Sequence, residues 1–383
     1  MTKNILLGFL SVVFIILLIS FFLGQRPSIL GAHKENGDTV KVGGALALTN
    51  YCSSWGEDEL KSITLAIEEA NKSGGINGHP LELITEDTEC SQKGTVNAVS
   101  KLIDSDKAEI IIGPTWSDTY QSGYPVINNN KIVSITPSAA IEAVIYGKLP
   151  IDYIFSTYFP QRKEVQAMES YMNQNNKRNI VIMHDQDPFG VILMSIFKDE
   201  ADAHNIKVIK EYTLPTNYID FRTEIAELKN MNIDGIYASF PNPEKKGKFL
   251  KQAHDLGLTV QLFSSADVQD AELVKQFSST MNGVIYTYPE ASGGYEEFKA
   301  NFISKYGTEP SGPSVTNAYD ATNVAINALR KHYENGIDIK TAVEKTNIPG
   351  VTVPNIQFND IHGIKDSQFV IKTIKNGKFV EIK

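Results

Sequence analysis

Apolar and polar positions follow one another along this chain in two alternating spacings. Short apolar runs of strand length occur at Val40–Leu48, Leu81–Thr85, Glu109–Ile112 and Lys131–Ile135. Between them, Glu57–Lys72, Val96–Ile103 and Asp118–Asn129 carry apolar residues at helical spacing. In the first of these, Leu60, Ile63, Ala66, Ile67 and Ala70 share one face, and Gly74-Gly75-Ile76-Asn77-Gly78 supplies the turn that follows. The rhythm restarts after Ile154. Helical spacing covers Arg162–Asn175, Val191–Ala203, Phe221–Lys229 and Lys245–Leu256. Strand runs sit at Asn179–His184, Lys207–Tyr212, Gly235–Ser239, Gln261–Ser264 and Gly283–Tyr286. Two more helices are predicted at Tyr295–Tyr306 and Ser314–Tyr333. The end of the chain, Val351–Phe358 and Gln368–Ile382, reads as strands with turns at His362-Gly363 and Asn376-Gly377. Two successive β-α blocks predict an α/β fold with two doubly wound parallel sheets. Ligands of such sheets lie beyond the carboxyl ends of the strands, so functional residues are expected in the loops that follow strands.

The N-terminus departs from this pattern. Ile5–Leu23 is a run of nineteen residues without a charge, preceded by Lys3. As a helix it is about 28 Å long at ~1.5 Å per residue, enough to cross a hydrocarbon core. Two readings stand, an uncleaved signal anchor and a cleaved signal peptide, and the length favours the anchor. The best cleavage candidate, Leu30-Gly31-Ala32, has a large residue where a small one is wanted. No Cys follows the run, which argues against a lipid-anchored protein. Both readings place the remainder outside the cytoplasm, tethered to the membrane or secreted, and Lys3 agrees with the positive-inside rule. Gln25–Asp38 reads as a linker.

Composition narrows the function. The chain has 383 residues, 42% hydrophobic and 21% charged, with a net charge of -9 and no dense basic run. That excludes the electrostatic footprint of a nucleic-acid binder. There is no GxGxxG after a strand, no P-loop, no GxSxG and no HExxH, so neither an enzyme nor a cofactor is expected. His184-Asp185-Gln186-Asp187 has metal-capable side chains but also follows a strand, and reads as a polar loop rather than a metal site. Cys52 and Cys90, each after a predicted strand, are compatible with one disulfide or with two free thiols.

Post-strand loops carry the binding signal. Ser117, in Thr115-Trp116-Ser117-Asp118-Thr119, sits near a helix N-terminus and reads either as an anion ligand or as an N-cap. Ser138, Ala139 and Ala140 belong to a second such loop. Trp55 and Phe189, the latter in Asp187-Pro188-Phe189-Gly190, are aromatic candidates for the walls of a cleft.

The order of several short motifs resembles the branched-chain amino acid/amide-binding family of ABC-transporter receptors over roughly residues 39–383. The motifs are Lys41-Val42-Gly43-Gly44, Ala70-Asn71-Lys72-Ser73-Gly74-Gly75-Ile76-Asn77-Gly78, Glu86-Asp87-Thr88-Glu89-Cys90, Ile112-Gly113-Pro114, Ile135-Thr136-Pro137-Ser138-Ala139-Ala140 and Ala318-Tyr319-Asp320-Ala321. The resemblance implies the type I periplasmic-binding fold, two lobes joined by three crossovers. The first lobe would combine 39–157 with 288–350, the second 158–287 with 351–383. It also implies an extracytoplasmic receptor that passes a small polar solute (an amino acid, amide or related carboxylate) to permease and ATPase subunits. The alternative is a sensory ectodomain acting through a partner. Pocket positions of the family fall on Trp55, Ser117, Ser138, Ala139, Ala140 and Phe189, near Phe240, and on Ser265-Ala266-Asp267. This chain departs from the family in three places. Ala140 stands where a Ser or Thr is usual. Ala266 aligns with the acidic partner of the ligand ammonium, with Asp267 one place along. The second disulfide cysteine usual near Trp116 is missing, so a bridge from Cys90 would go to Cys52.

Overall fold

The computed structural model describes residues 39–147 and 151–382. The apolar run Ile5–Leu23 and the linker after it lie outside the described residues. Among those described, no helix is long and apolar enough to cross a membrane.

The first part of the chain runs β1 (Val40–Leu46), α1 (Ser53–Lys72), β2 (Leu81–Asp87), α2 (Gln92–Asp104), β3 (Ile110–Ile112), α3 (Ser117–Asn129), β4 (Ser134–Thr136), α4 (Ile141–Val144) and β5 (Ile154–Ser156). It forms a five-stranded sheet in the order β2-β1-β3-β4-β5, parallel throughout. Helices cover both faces, so its central strands are apolar on both sides. Val42, Ile110, Ile112 and Ile135 are fully buried, each worth about 1.5–3 kcal/mol of transfer free energy.

The second part runs α5 (Gln161–Gln174), β6 (Asn179–Asp185), α6 (Pro188–Ala201), β7 (Lys207–Leu214), α7 (Arg222–Leu228), β8 (Gly235–Ser239), α8 (Pro243–Asp255), β9 (Gln261–Ser264), α9 (Ala271–Phe277) and β10 (Ile285–Pro289). The chain then returns to the first sheet with α10 (Tyr295–Tyr306), α11 (Pro313–Asn335) and α12 (Ile339–Glu344), and Ala318, Ala325 and Leu329 of α11 join the core of that sheet. It ends in β11 (Phe369–Lys375) and β12 (Lys378–Ile382). The seven-stranded sheet has the order β12-β11-β10-β9-β8-β6-β7. Its parallel part repeats the order of the first sheet, and the antiparallel β11–β12 hairpin extends it. The hairpin turns on Asn376 and Gly377, at φ 52° and 72°, the two positive φ values that a two-residue type I′ turn needs.

One predicted strand does not form. Val351–Phe358 has no ladder and makes only isolated bridges, Ile348 to Ile356 and Phe358 to Ile364. The buried Asp320 carboxylate of α11 accepts from the N–H groups of Val351 and Thr352, at 2.9 and 3.0 Å, and Pro354 has no N–H to give.

Candidate functional site

Both sheets reverse direction of growth at a switch point, β1/β3 in one and β6/β8 in the other. Two glycines let the first of these close. Gly56 at the start of α1 lies so near the Ala47 carbonyl that any Cβ would overlap it, and Gly113, at φ 101°, does the same against Ala45. Residues that follow the carboxyl ends of strands in both sheets then meet around one cavity, with about 380 Å³ not filled by protein atoms, open solvent included. Trp55 follows β1; Trp116, Ser117 and Asp118 follow β3; Ser138 follows β4 and Tyr158 follows β5. From the second sheet come Asp187 and Phe189 after β6, Pro241 after β8 and Asp267 after β9. A larger space of about 790 Å³, lined by Gln269, Tyr288 and Lys372 among others, lies beside β10 and β11 and away from both switch points.

On the side of the first sheet, hydrogen bonds without a lysine or arginine hold the wall. Thr115 donates through Oγ1 to Glu59 Oε2 (2.6 Å) and accepts from the Ala47 N–H (3.1 Å). Burial pushes the Glu59 carboxyl up to about 7, against hydrogen bonds from Ser138 and Thr115 that lower it. Trp116 sits at φ 71°, a conformation costly for a bulky residue. Its N–H donates to Ser138 Oγ (3.3 Å), and its ring packs edge-on against Trp55 at 6.1 Å and tilted against Tyr51 at 5.4 Å. Cys52 and Cys90 are disulfide-bonded across a Cα–Cα distance of 6.0 Å and tie the loop after β1 to the loop after β2 beneath these rings.

The side of the second sheet is held by ions. Lys246 Nζ lies 2.9 Å from Asp267 Oδ2 and donates to the Asp267 carbonyl (2.7 Å), while Ser265 donates to Asp267 Oδ1 (2.5 Å). Lys245 pairs with Asp185 and donates to the Pro215 carbonyl (2.6 Å). Asp187 caps α6, accepting from the Gly190 N–H (2.6 Å), with Pro188 in the first turn. Burial pushes its carboxyl up to about 7, and the charges of Asp185 and Asp118 add to that. Tyr158 stands edge-on to Phe189 at 6.3 Å.

Five residues expected from the sequence therefore line one cavity: Trp55, Ser117, Ser138, Phe189 and Asp267. Three do not. Ala139 is fully buried, and its N–H donates to Thr136 Oγ1 (3.1 Å). The Ala140 N–H is taken by Ser117 Oγ (3.1 Å). Phe240 packs into the aromatic core between Phe221 and Phe249, at 5.4 and 5.5 Å, under the Lys245 ammonium; its neighbour Pro241 reaches the cavity instead. Trp116, Asp118, Tyr158, Asp187 and Pro241 were not singled out from sequence. Trp116, Asp118 and Asp187 stood inside the two loops already suspected. Tyr158 had no local signal, because β5 before it is three residues long and lacks the turn pair that marks the ends of the equally short β3 and β4, Gly113-Pro114 and Thr136-Pro137. The His184-Asp185 run is split between partners: His184 Nε2 lies 3.0 Å from Glu211 Oε1, and Asp185 pairs with Lys245.

Residues 39–378 match the periplasmic binding protein family. The chain belongs to that family. A leucine-, isoleucine-, valine-, threonine- and alanine-binding protein of Pseudomonas aeruginosa is 24% identical over 337 residues, covering 87% of this chain and 89% of the relative. Among solved structures, the branched-chain amino acid transporter substrate-binding protein of Streptococcus pneumoniae, in complex with isoleucine, superposes with a TM-score of 0.79. It is 21% identical and is covered to 99%, against 90% of this chain. An ABC-transporter solute-binding protein of R. palustris, in complex with benzoate, gives a TM-score of 0.80 at 18% identity, covering 90% of this chain and 95% of that one. The fold is the type I periplasmic-binding fold, and the family is one of solute-binding proteins whose place is outside the cytoplasm.

Proposed function

We propose that this chain is the extracytoplasmic receptor of an ABC importer and that it takes a small polar solute into the cavity between its two sheets without chemical change. The observation that carries this reading is the origin of the lining: ten residues, seven post-strand segments, two sheets and one cavity at both switch points. Trp55 and Phe189 wall the solute, Ser117 and Ser138 offer it hydroxyls, and Asp267 offers a carboxylate. Residues 39–157 with 290–364 move as one lobe and 158–289 with 369–382 as the other, closing over the solute by hinge motion. The bounds expected from sequence shift because Val353, Ile356 and Ile364 pack in the core of the first sheet and β10 stays in the second as far as Pro289. The relatives named above include transport receptors, which favours import over sensing through a partner. Permease and ATPase subunits are then the partners, and residues 1–38 hold the receptor at the outer face of the membrane or direct its export.

A thermal-shift screen of the purified full-length chain tests this. The panel covers amino acids, amides, amines and small carboxylates. A solute present at about 100 times its Kd raises stability by about 2.7 kcal/mol. Turnover of a bound compound by the purified protein, abolished by Ser117→Ala, would contradict the receptor reading.

A further inference from the structure

The charges around the cavity do not balance. Asp118 approaches it from the first sheet, and Asp187 and Asp267 from the second. Only Asp267 has a cation beside it, Lys246. The neighbouring Lys245 is committed to Asp185. Asp118 and Asp187, from opposite sides, have backbone N–H partners and make no ion pair among the described residues, although the Lys245 charge that pairs with Asp185 also acts on Asp187. The Asp118 charge acts on Asp187, and both act on Tyr51, where burial and then the charges of Asp118, Asp187 and Asp185 push the hydroxyl up to about 12.

The groups that would hold a carboxylate are already in use. Asp118 itself hydrogen-bonds to the backbone N–H groups of Asp118 and Thr119 at the start of α3. The Ala140 N–H donates to Ser117, the Ala139 N–H to Thr136, and the Trp116 N–H to Ser138. An anionic group entering here meets carboxylates without an ion-pair partner, and of these groups the Ser117 hydroxyl alone keeps a proton to donate.

The remaining walls are rings. Two edge-on aromatic pairs line the cavity, Trp55 with Trp116 and Tyr158 with Phe189. Ring faces attract organic cations, and desolvation strengthens that attraction. Tyr158 is 2% exposed, lines the cavity, and its hydroxyl has no hydrogen-bond partner among the described residues. It offers an oxygen to a ligand N–H. A hydrated metal ion would want oxygen ligands in place of the rings.

Resting on the receptor reading above, we infer that the solute is a small organic cation, an ammonium or guanidinium group without a balancing free carboxylate, held between Asp118 and Asp187 and walled by the two aromatic pairs. The ligand supplies the positive charge that the cavity lacks. It differs in this from a zwitterionic amino acid, whose carboxylate has no place among these residues.

The test keeps one carbon skeleton and varies the charge. Leucinamide and isoamylamine are cations, leucine a zwitterion, isovaleramide neutral and isovalerate an anion. Choline and guanidinium extend the cation set to other head groups. Calorimetry on the full-length protein is expected to show at least one cation binding tenfold or more tighter than leucine, with isovalerate unbound. Asp118→Asn and Asp187→Asn should each weaken that cation at least tenfold, while Asp255→Asn, an exposed helix residue, leaves it within twofold. Unchanged melting curves show that the variants fold. If leucine, isovaleramide or isovalerate binds more tightly than every cation, the charge assignment is wrong and the receptor reading stands. If cations bind equally well to the Asp118→Asn and Asp187→Asn variants, the assignment is also wrong. If no compound of any charge binds, both readings fail together.

Discussion

On the side of the first sheet the cavity wall is fixed by hydrogen bonds that involve no lysine or arginine: Ala47 N–H to Thr115, Thr115 to Glu59, Trp116 N–H to Ser138, and Ala140 N–H to Ser117. On the side of the second sheet it is fixed by two buried lysines, each held against an aspartate. The first arrangement fixes positions, since every donor has one acceptor at one distance. The second sets a field, since the ammonium groups decide which carboxylates remain uncompensated. The first side thus mainly fixes shape and the second mainly sets the field, with Asp118 the carboxylate that the first side adds.

Breaking the ionic side should cost the most. Lys246→Ala leaves the buried Asp267 carboxylate without its cation, and the expected loss of unfolding free energy is about 3–5 kcal/mol. Urea denaturation measures it. Breaking the hydrogen-bonded side costs less. Thr115→Val orphans the Ala47 N–H and one oxygen of Glu59, with an expected loss of about 1–3 kcal/mol by the same assay. A Lys246→Ala loss no larger than that of Thr115→Val would erase the distinction between the sides.

The next effects are on affinity. Trp55→Ala and Ser117→Ala should each weaken solute binding at least tenfold, about 1.4 kcal/mol. Phe240→Leu sharpens the point, because Phe240 lies in the core behind the cavity. It should lower stability yet leave Kd within twofold in an isothermal titration.

The smallest expected effect is on pH dependence. Glu164 accepts from the Ala266 N–H (2.7 Å) and from Thr287 (3.0 Å), and burial still pushes its carboxyl up to about 8. Glu59, on the other side, is pushed up to about 7. A folded pKa above the unfolded one means the fold prefers the neutral acid. That contribution is complete below about pH 4.3, the unperturbed carboxyl value, and is lost as pH rises through the folded values. Stability should therefore fall between pH 5 and pH 9, and less steeply in Glu164→Gln. Denaturation midpoints at the two pH values compare them, and parallel slopes would show that Glu164 does not titrate in this range.

Much of the architecture was legible because long elements carry a periodic stripe. The apolar face of α1 and the buried run of β6 announce themselves over several turns or residues. Short elements carry no such period, so β5, α4, α9 and α12 escaped, and Tyr158 escaped with β5. Val351–Phe358 misled for a different reason. Its apolar alternation suits a strand, but a single carboxylate from α11 captures the N–H groups that a ladder would use. In the site, motif position pointed to loops that line the cavity but not to the atoms that face it. Ala139 and Ala140 stand in the expected loop with their N–H groups already bonded. Asp118 and Asp187 each look like ordinary residues of a helix start, and only the meeting of α3 and α6 across the cavity gives the pair its meaning.

The chain contains two tryptophans, Trp55 and Trp116, and both line the cavity with ring centroids 6.1 Å apart. Intrinsic tryptophan emission therefore reports on the cavity alone. Titration of the full-length protein with the solute that calorimetry identifies should give a saturable change in emission at the calorimetric Kd. Calorimetric binding with no change in tryptophan emission would place the solute elsewhere and contradict the account.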